Sequence, residues 1–343
     1  MMTPGKDVSG SNLSGSYRGT LQLIRRVPAA LTGIALLSGA ALAQSWPTAG
    51  IKIVVPSAPG TQSDIVSRVL GQRLQTVLGQ SVIVDNKPGA DGMLAVEAVV
   101  NAPADGLSFV NVQSGSLTIA PTLYPKRIRY DPERDLLPIT HTVKATFILT
   151  VAAPASVRDI KSFVAYSKTN PKQAALGHMP GAAYLGALVF RAVTSADSEL
   201  IPYKGQPQIW TDLLGERILA GIEPVGGAFP QIRAGKLRAI ALLGAQRTAL
   251  LPDVPTATEQ GFPGIEADAW NALFAKSGTQ PAIIDRMHRE SVRILSSAEV
   301  RESLLKQGME VEVSDPKVLG QRVRDDRAKW ARAIKEFNVK AED

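Results

Sequence analysis

The chain has no cysteine in its 343 residues. That removes disulfides, thiolate metal sites, thiol nucleophiles and a cysteine lipid anchor together, and leaves the fold to be held by its core alone. Histidine is scarce: His141, His178 and His288 share no metal-ligand spacing, and no H-E-x-x-H is present. A G-x-S-x-G elbow, a G-x-G-x-x-G turn and a phosphate loop ending in Gly-Lys-Ser/Thr are also missing. No cofactor and no metal are expected, and nothing marks the chain as an enzyme. Aromatic residues make up only 5%, and the basic residues sit beside acids, as in RVRDDRAKWARAIKE. No basic stripe with interleaved aromatics exists, so nucleic acid is not an expected partner.

Long apolar runs are also scarce. The one that stands out is AALTGIALLSGAALA, Ala29 to Ala43, preceded by Arg25-Arg26. A positive segment, a short apolar stretch and an Ala-x-Ala end mark a secretory leader. The run is short for a permanent membrane span. Residues 1–43 are therefore read as a signal peptide, with the mature chain starting near Gln44 and destined for export. The formal net charge is +7; Lys6, Arg18, Arg25 and Arg26 against Asp7 carry +3 of it, leaving +4. A mild positive excess suits an anionic ligand.

About 300 mature residues suggest two domains. IKIVV (51–55), bounded by Gly50 and Pro56, reads as a buried strand. A helix follows with Ile65, Val66, Val69, Leu70, Leu74 and Leu78 on one face. SVIV (81–84), a helix over 93–100 and LSFVNV (107–112) continue the alternation. FILTVA (147–152) opens a second series: helices over 156–170 and 179–193, short strands at 201–203 and 218–222, then LRAIAL (237–242). The tail offers a brief helix at 256–260, the strand ADAWNALFA, and helices over 281–295, 298–307 and 316–337. Repeated strand–helix units indicate parallel sheets. The tail lacks strands for a third sheet, so it must return to an earlier one. The expectation is an α/β fold of two lobes: lobe 1 from 44–143 and 257–343, lobe 2 from 144–256. Two crossing segments join them, and a ligand cleft lies between.

Three loops lead from strands into helices, at 56–64, 114–118 and 177–183. A helix start offers unpaired N–H groups and a partial positive charge, which suit a carboxylate. Gly60 lets the backbone come close. Thr61, Gln62, Ser63, Ser114, Ser116 and Thr118 add donors, while Asp64 caps or supports its helix. His178 and Met179 face the expected mouth of the second lobe; Tyr203, Lys204 and Gly205 follow a strand of that lobe. Plain capping and turn chemistry is the alternative for each of these loops.

The order of blocks adds a resemblance. IKIVVPSAPGTQSDIVSRVLGQRL, LGQSVIVDNKPGADG, SGSLTIAPTLY, YDPERDLLPI, IPYKG, TDLLG, IRAGKLRAIAL and LPDVPTATEQGFPG are similar, in order and spacing, to the periplasmic solute-binding proteins of the tripartite tricarboxylate transporter family, the Bug receptors. The resemblance implies an α/β, periplasmic-binding-protein-like (type II) fold, and a monomeric receptor that closes on a small organic carboxylate, aliphatic or aromatic. It also implies two membrane partners, one large and one small, or a sensor in their place. The implied ligand positions are Pro59, Gly60, Thr61, Gln62, Asp64, Ser114, Ser116 and Thr118 on the first lobe. On the second they are His178, Met179, Ala182, Tyr203, Lys204, Gly205 and Glu223, with Trp270 where the family commonly has an aromatic. The chain departs from the pattern at Thr61, where a second glycine is frequent, and at Gly177-His178-Met179-Pro180-Gly181, where small hydroxyl residues are common.

Overall fold

The computed structural model describes residues 46–340, so the expected leader lies outside the described residues. The chain runs β1 (Ile51–Val55), α1 (Gln62–Leu78), β2 (Val82–Asn86), a single 3-10 turn (Ala90–Gly92), α2 (Met93–Val100) and β3 (Ser108–Gln113). Three short helical turns follow, α3 (Ser114–Thr118), α4 (Ala120–Leu123) and α5 (Pro132–Asp135), then β4 (Leu136–Ala152). Next come α6 (Ile160–Thr169), β5 (Leu176–His178), α7 (Ala182–Thr194), β6 (Leu200–Pro202), α8 (Gln206–Leu214), β7 (Ala220–Pro224), α9 (Val225–Arg233) and β8 (Leu237–Leu242). The tail holds β9 (Asp268–Lys276), α10 (Pro281–Leu295), α11 (Ala298–Lys306), β10 (Glu310–Val311) and α12 (Pro316–Glu336).

One strand organises both halves. β4 is 17 residues long, about 56 Å of extended chain. Its first part pairs antiparallel with β9, from Leu136↔Lys276 to Thr146↔Asp268. From Phe147 onward it pairs instead with β7 and β8. The partner changes between Thr146 and Phe147, so a single strand passes from one lobe into the other. Sequence patterning shows only its second part, from Phe147. Pro138 and register shifts at 138/140 and 141/143 break the alternation in the first part.

The first lobe is β2-β1-β3-β9-β4, with β10 on β4. β1 is parallel to both neighbours and buried at every position but Lys52, which is why it reads as an apolar run with one polar interruption. Val66, Leu70, Leu74 and Leu78 of α1 recur every fourth residue and pack on Ile53 and Phe109, with Ile294 and Leu295 of α10 in the same core. Gly79, at φ 69°, ends α1 in the left-handed conformation that only glycine adopts freely. The opposite face of the sheet packs Val54, Val96, Val110, Phe274 and Leu319. The second lobe is the far part of β4 with β7, β5, β6 and β8. Its core joins Leu149, Ile160, Phe163, Phe190 and Ile222, and takes Ala257, Ile265 and Ala267 from the segment returning to β9.

Three helix expectations change. α6 starts at Ile160 and not at 156, because Asp159 is its N-cap and its carboxylate accepts from Ser162 N (2.6 Å). α7 starts at Ala182 and not Met179, because Gly181 (φ 74°, ψ −131°) turns the chain before the first helical residue. Residues 256–260 form a turn, not a helix. Thr256 N donates to Glu259 Oε2 (2.7 Å) and Glu259 N to Thr256 Oγ1 (3.1 Å), a reciprocal cap. Gly261 at φ 88° then ends the turn before a helix can propagate.

Candidate ligand cleft

A cleft of about 1670 Å³ opens where the ends of the first-lobe strands face the second lobe. Gln62, Ser114, Ser116 and Asn271 line it from one side, and His178, Met179, Ala182, Tyr203 and Lys204 from the other. A smaller cavity of about 280 Å³ adjoins it, sharing Gln62, Ala145 and Pro224 and adding Gly60.

The loop before α1 is held from within. Asp64 is buried, and its carboxylate accepts from Gly60 N (2.9 Å), Arg68 Nε (3.0 Å) and Asn86 Nδ2 (2.9 Å). Asn86 Nδ2 also donates to Ser57 O at 2.9 Å. Burial pushes the Asp64 carboxyl up, but the hydrogen bonds from Arg68, Gly60 and Asn86 outweigh it and hold the group below its ordinary value. Thr61 turns its hydroxyl to Ser57 Oγ (2.6 Å) and Ala58 O (2.9 Å). Gly60, at φ 83°, and the exposed Pro59 shape the turn. The loop is thus fixed by its own side chains, and the first amides of α1 have no capping side chain.

Beneath it runs a buried polar chain: Asn271 Nδ2 donates to Ser63 Oγ (2.8 Å), Asn111 Nδ2 to Ser67 Oγ (2.9 Å), and Thr142 Oγ1 to Asn111 Oδ1 (3.1 Å). Ser116 Oγ donates to Asp91 O at 2.7 Å, and Tyr130 OH to Ser116 O at 2.6 Å. Ser116 therefore fastens the 89–92 turn to the cleft floor. A Cβ on Gly92 would collide with Ser116 Oγ, so only glycine permits that approach.

On the second lobe, His178 stacks on Tyr184 with ring centroids 4.7 Å apart and planes 24° from parallel. Its Nδ1 lies 3.1 Å from Met179 O. Both rings line the cleft. Tyr203 lends its ring to the wall but donates its hydroxyl to Asp212 Oδ2 at 2.7 Å. Burial, with Asp212 accepting that hydrogen bond, pushes the Tyr203 phenol up to about 12, so it stays neutral. Gly181 brings the uncapped start of α7 to the cleft beside Ala182.

The sequence candidates thus fall into three sets. Gln62, Ser114, Ser116, His178, Met179, Ala182, Tyr203 and Lys204 come together on the large cleft, and Gly60 and Gln62 on the smaller cavity. Asp64, Thr118, Glu223 and Trp270 are buried behind the walls. Thr118 Oγ1 donates to Ser114 O (2.8 Å). Glu223 accepts from Thr150 Oγ1 (2.6 Å), Gln206 Nε2 (2.8 Å) and Trp210 Nε1 (2.7 Å). Burial pushes its carboxyl up, against the pull of those three donors. Gly205, before α8, and Pro59 and Thr61, before α1, line neither cavity.

Trp270 donates Nε1 to Asp326 Oδ2 (2.8 Å) and meets His141 edge-on at 5.2 Å. Its role is to hold α12 against β9. Trp270→Ala is expected to cost about 3–5 kcal/mol of stability, read by denaturant unfolding, while Trp270→Phe should leave ligand ranking unchanged.

Sequence reasoning missed several lining residues: Gln113, Phe147, Tyr184, Asn271 and the 89–92 turn. The turn carried a usable signal, since Gly89 (φ 120°), Ala90 (48°), Asp91 (50°) and Gly92 (84°) all take positive φ and NKPGADG announces such a turn. The others carried none, because their inward placement depends on distant partners.

Two α/β lobes strung on one shared strand, with an open cleft between them, define a periplasmic binding protein. Residues 66–339 match the family described as the tripartite tricarboxylate transporter family receptor, and the chain belongs to that family. It is 32% identical over 301 residues to protein BugT of Bordetella pertussis, covering 87% of this chain and 92% of BugT. Two solved structures show the fold with a ligand in place. MatC (Rpa3494) from Rhodopseudomonas palustris, with bound malate, is 27% identical with a TM-score of 0.69, covering 84% of this chain and 100% of its own. Rpa4515 of R. palustris, with adipate, is 27% identical with a TM-score of 0.72, covering 84% of this chain and 97% of its own.

Proposed function

We propose that the protein is a periplasmic receptor that captures an organic carboxylate in this cleft by lobe closure and delivers it to a two-component membrane transporter. The observation that carries the reading is the meeting of two uncapped helix starts, α1 from one lobe and α7 from the other, at one cleft. Each offers N–H donors and a partial positive charge to a carboxylate. Arg127, Arg191, Lys204 and Lys340 line the cleft against Asp91 and Glu199, so its field favours an anion. Gln62, Ser114 and Ser116 supply the polar floor, and the His178–Tyr184 stack with Met179 supplies a wall for the apolar body. The hinge is the point where β4 changes partners, with the second crossing at Ala267–Asp268; these bound the two lobes. Closure is favoured by whatever contacts the ligand makes only when both lobes touch it. The bound malate and adipate of the two R. palustris proteins support a carboxylate as the ligand class.

The test is a thermal-shift series on the mature chain from Gln44, with succinate, malate, adipate, citrate, benzoate and phthalate. A ligand at a hundredfold excess over its Kd adds about 2.7 kcal/mol to the folded state, so a rise of several degrees is expected with at least one acid. If a folded, ligand-free preparation shifts with none of them, the carboxylate reading is wrong.

A further inference from the structure

The two crossings between the lobes meet at one turn. Leu243, the first residue after β8, donates its N–H to Phe147 O (2.8 Å), just past the point where β4 changes partners. Its carbonyl accepts from Ala267 N (2.6 Å), just before β9 begins. Thr146 and Asp268 form the last paired rung of β4 with β9. Gly244 rests on both of them: a Cβ there would lie 2.6 Å from Asp268 Oδ1 and 2.9 Å from Thr146 Cγ2. The turn at 243–245 belongs to the second lobe, and Asp268 to the first. A side chain of one lobe is therefore covered, at the hinge, by backbone of the other.

Asp268 is poorly provided for in that place. Its Oδ2 accepts from Ala245 N at 3.4 Å, a long bond, and its buried Oδ1 has no hydrogen-bond partner among the described residues. Three cations act on it, and each is engaged elsewhere. Arg322 of α12 donates Nε to Asp326 Oδ2 (2.9 Å), Lys144 of β4 pairs with Glu310 Oε1 (3.0 Å), and Lys329 of α12 lies over the Trp330 ring at 4.7 Å. Glu312, just past β10, adds a second carboxylate to the cluster, and Glu266 acts on Lys329. The turn itself brings no charge, and Arg247 beyond it pairs with Glu259 at 3.0 Å. A buried carboxylate with one long hydrogen bond favours its neutral form. Burial pushes the Asp268 carboxyl up, against the pull of Arg322, the Ala245 amide, Lys329 and Lys144. Burial pushes Glu312 up as well.

We propose that Asp268 makes the hinge proton-sensitive: with its proton it holds the lobes in the open arrangement, and without it the 243–245 turn is released and the lobes close more readily. This rests on the lobe movement of the reading above and not on which acid is bound. Rotation of the second lobe carries the turn with it, so closing changes the cover over the carboxyl. The open arrangement binds the proton more readily than one in which the carboxylate meets water. By linkage the proton favours the open arrangement by the same factor. Falling pH therefore drives the lobes toward the open arrangement. Rising pH, through the raised value of Asp268, drives them toward closure. Each unit by which that value drops on closing changes the ratio of the two arrangements about tenfold.

The lack of native cysteine makes the test direct. Spin labels on Gln72→Cys in α1 and Lys161→Cys in α6, both exposed positions, report the distance between the lobes by pulsed electron spin resonance. In the ligand-free mature chain the ratio of wide to narrow distances is expected to rise at least about fivefold from pH 7.5 to pH 5. An ordinary aspartate, with a value of about 3.9, stays mostly ionised over that range. Asp268→Asn, neutral at every pH, is expected to show the wide distribution throughout, and Glu312→Gln to keep the shift. Asp268→Ser is the second neutral variant, should the first not fold. The inference is overturned if the labelled chain with Asp268 intact shows no shift, or the reverse one, or if Glu312→Gln abolishes it. A shift that survives in Asp268→Asn belongs to another group, such as His178 at the cleft, and overturns it too. Adipate added at pH 7.5 keeps the two readings apart: narrowing by adipate with no response to pH leaves the receptor standing and removes the proton from its hinge.

Discussion

Replacing Gly226 by valine is expected to weaken ligand binding at least about tenfold and to cost about 1–3 kcal/mol of stability from overpacking. Gly226 is the second residue of α9 on the second lobe, and Gly308 follows α11 on the first. Their backbones touch. A Cβ on Gly226 would collide with Gly308 O, and one on Gly308 would lie 2.6 Å from Gly226 O. Gly308 is further committed by φ 76°, where any side chain is strained. Beside the glycine pair, Thr248 Oγ1 donates to Glu310 Oε2 (2.5 Å), and Glu310 also pairs with Lys144 at 3.0 Å. The lobes are thus in register at this point, close to where β4 changes partners. A valine there is a wedge, and it alters the angle at which the two helix starts meet the ligand. The contrast is Gly320→Ala in α12, where the new Cβ would meet Pro138 Cγ at 3.6 Å, an ordinary contact. Alanine in a helix interior gains up to about 1 kcal/mol over glycine, so this variant should unfold later and bind unchanged. Thermal unfolding with adipate titration separates the two. Unchanged affinity in Gly226→Val would mean that closure does not use the glycine contact.

The contrast between these glycines shows what a sequence can and cannot display. β1, α1 and α10 are legible because their signals are local: a β-branched run, a four-residue apolar repeat, and Pro281 at a helix start. The first part of β4 is not, because its strand character comes from β9, more than 120 residues away, and bulges hide its alternation. The site divides in the same way. Gly60 and Gly181 advertise turns before helices, and the structure turns there. The direction of a polar side chain is another matter. Asn271 reaches Ser63 across 208 positions, and Trp270 reaches Asp326 across 56. No local pattern says that Trp270 faces α12 and not the ligand.

Asp64 carries the other large effect. Asp64→Ala is expected to lower stability by about 1–3 kcal/mol, because it leaves the Gly60 amide and the Asn86 side chain without their buried acceptor. It should also weaken carboxylate binding, since the loop that presents the start of α1 loses its internal tie. Asp64→Asn is no remedy: it turns an amide donor toward Arg68, Gly60 and Asn86, all of which are donors here. The pH dependence has a definite sign. The folded protein holds this carboxyl below its ordinary value, so protons bind the unfolded chain more readily than the native one. The stabilisation is therefore complete above the unfolded pKa of about 3.9 and is lost as pH falls through the still lower folded value. The stability gap between the unaltered protein and Asp64→Ala should stay flat from about pH 7 to pH 5 and close below about pH 4. Urea unfolding of both proteins across that range measures it. A gap that widens toward acid would mean that Asp64 is protonated in the native state, and that the loop is held by something other than its charge.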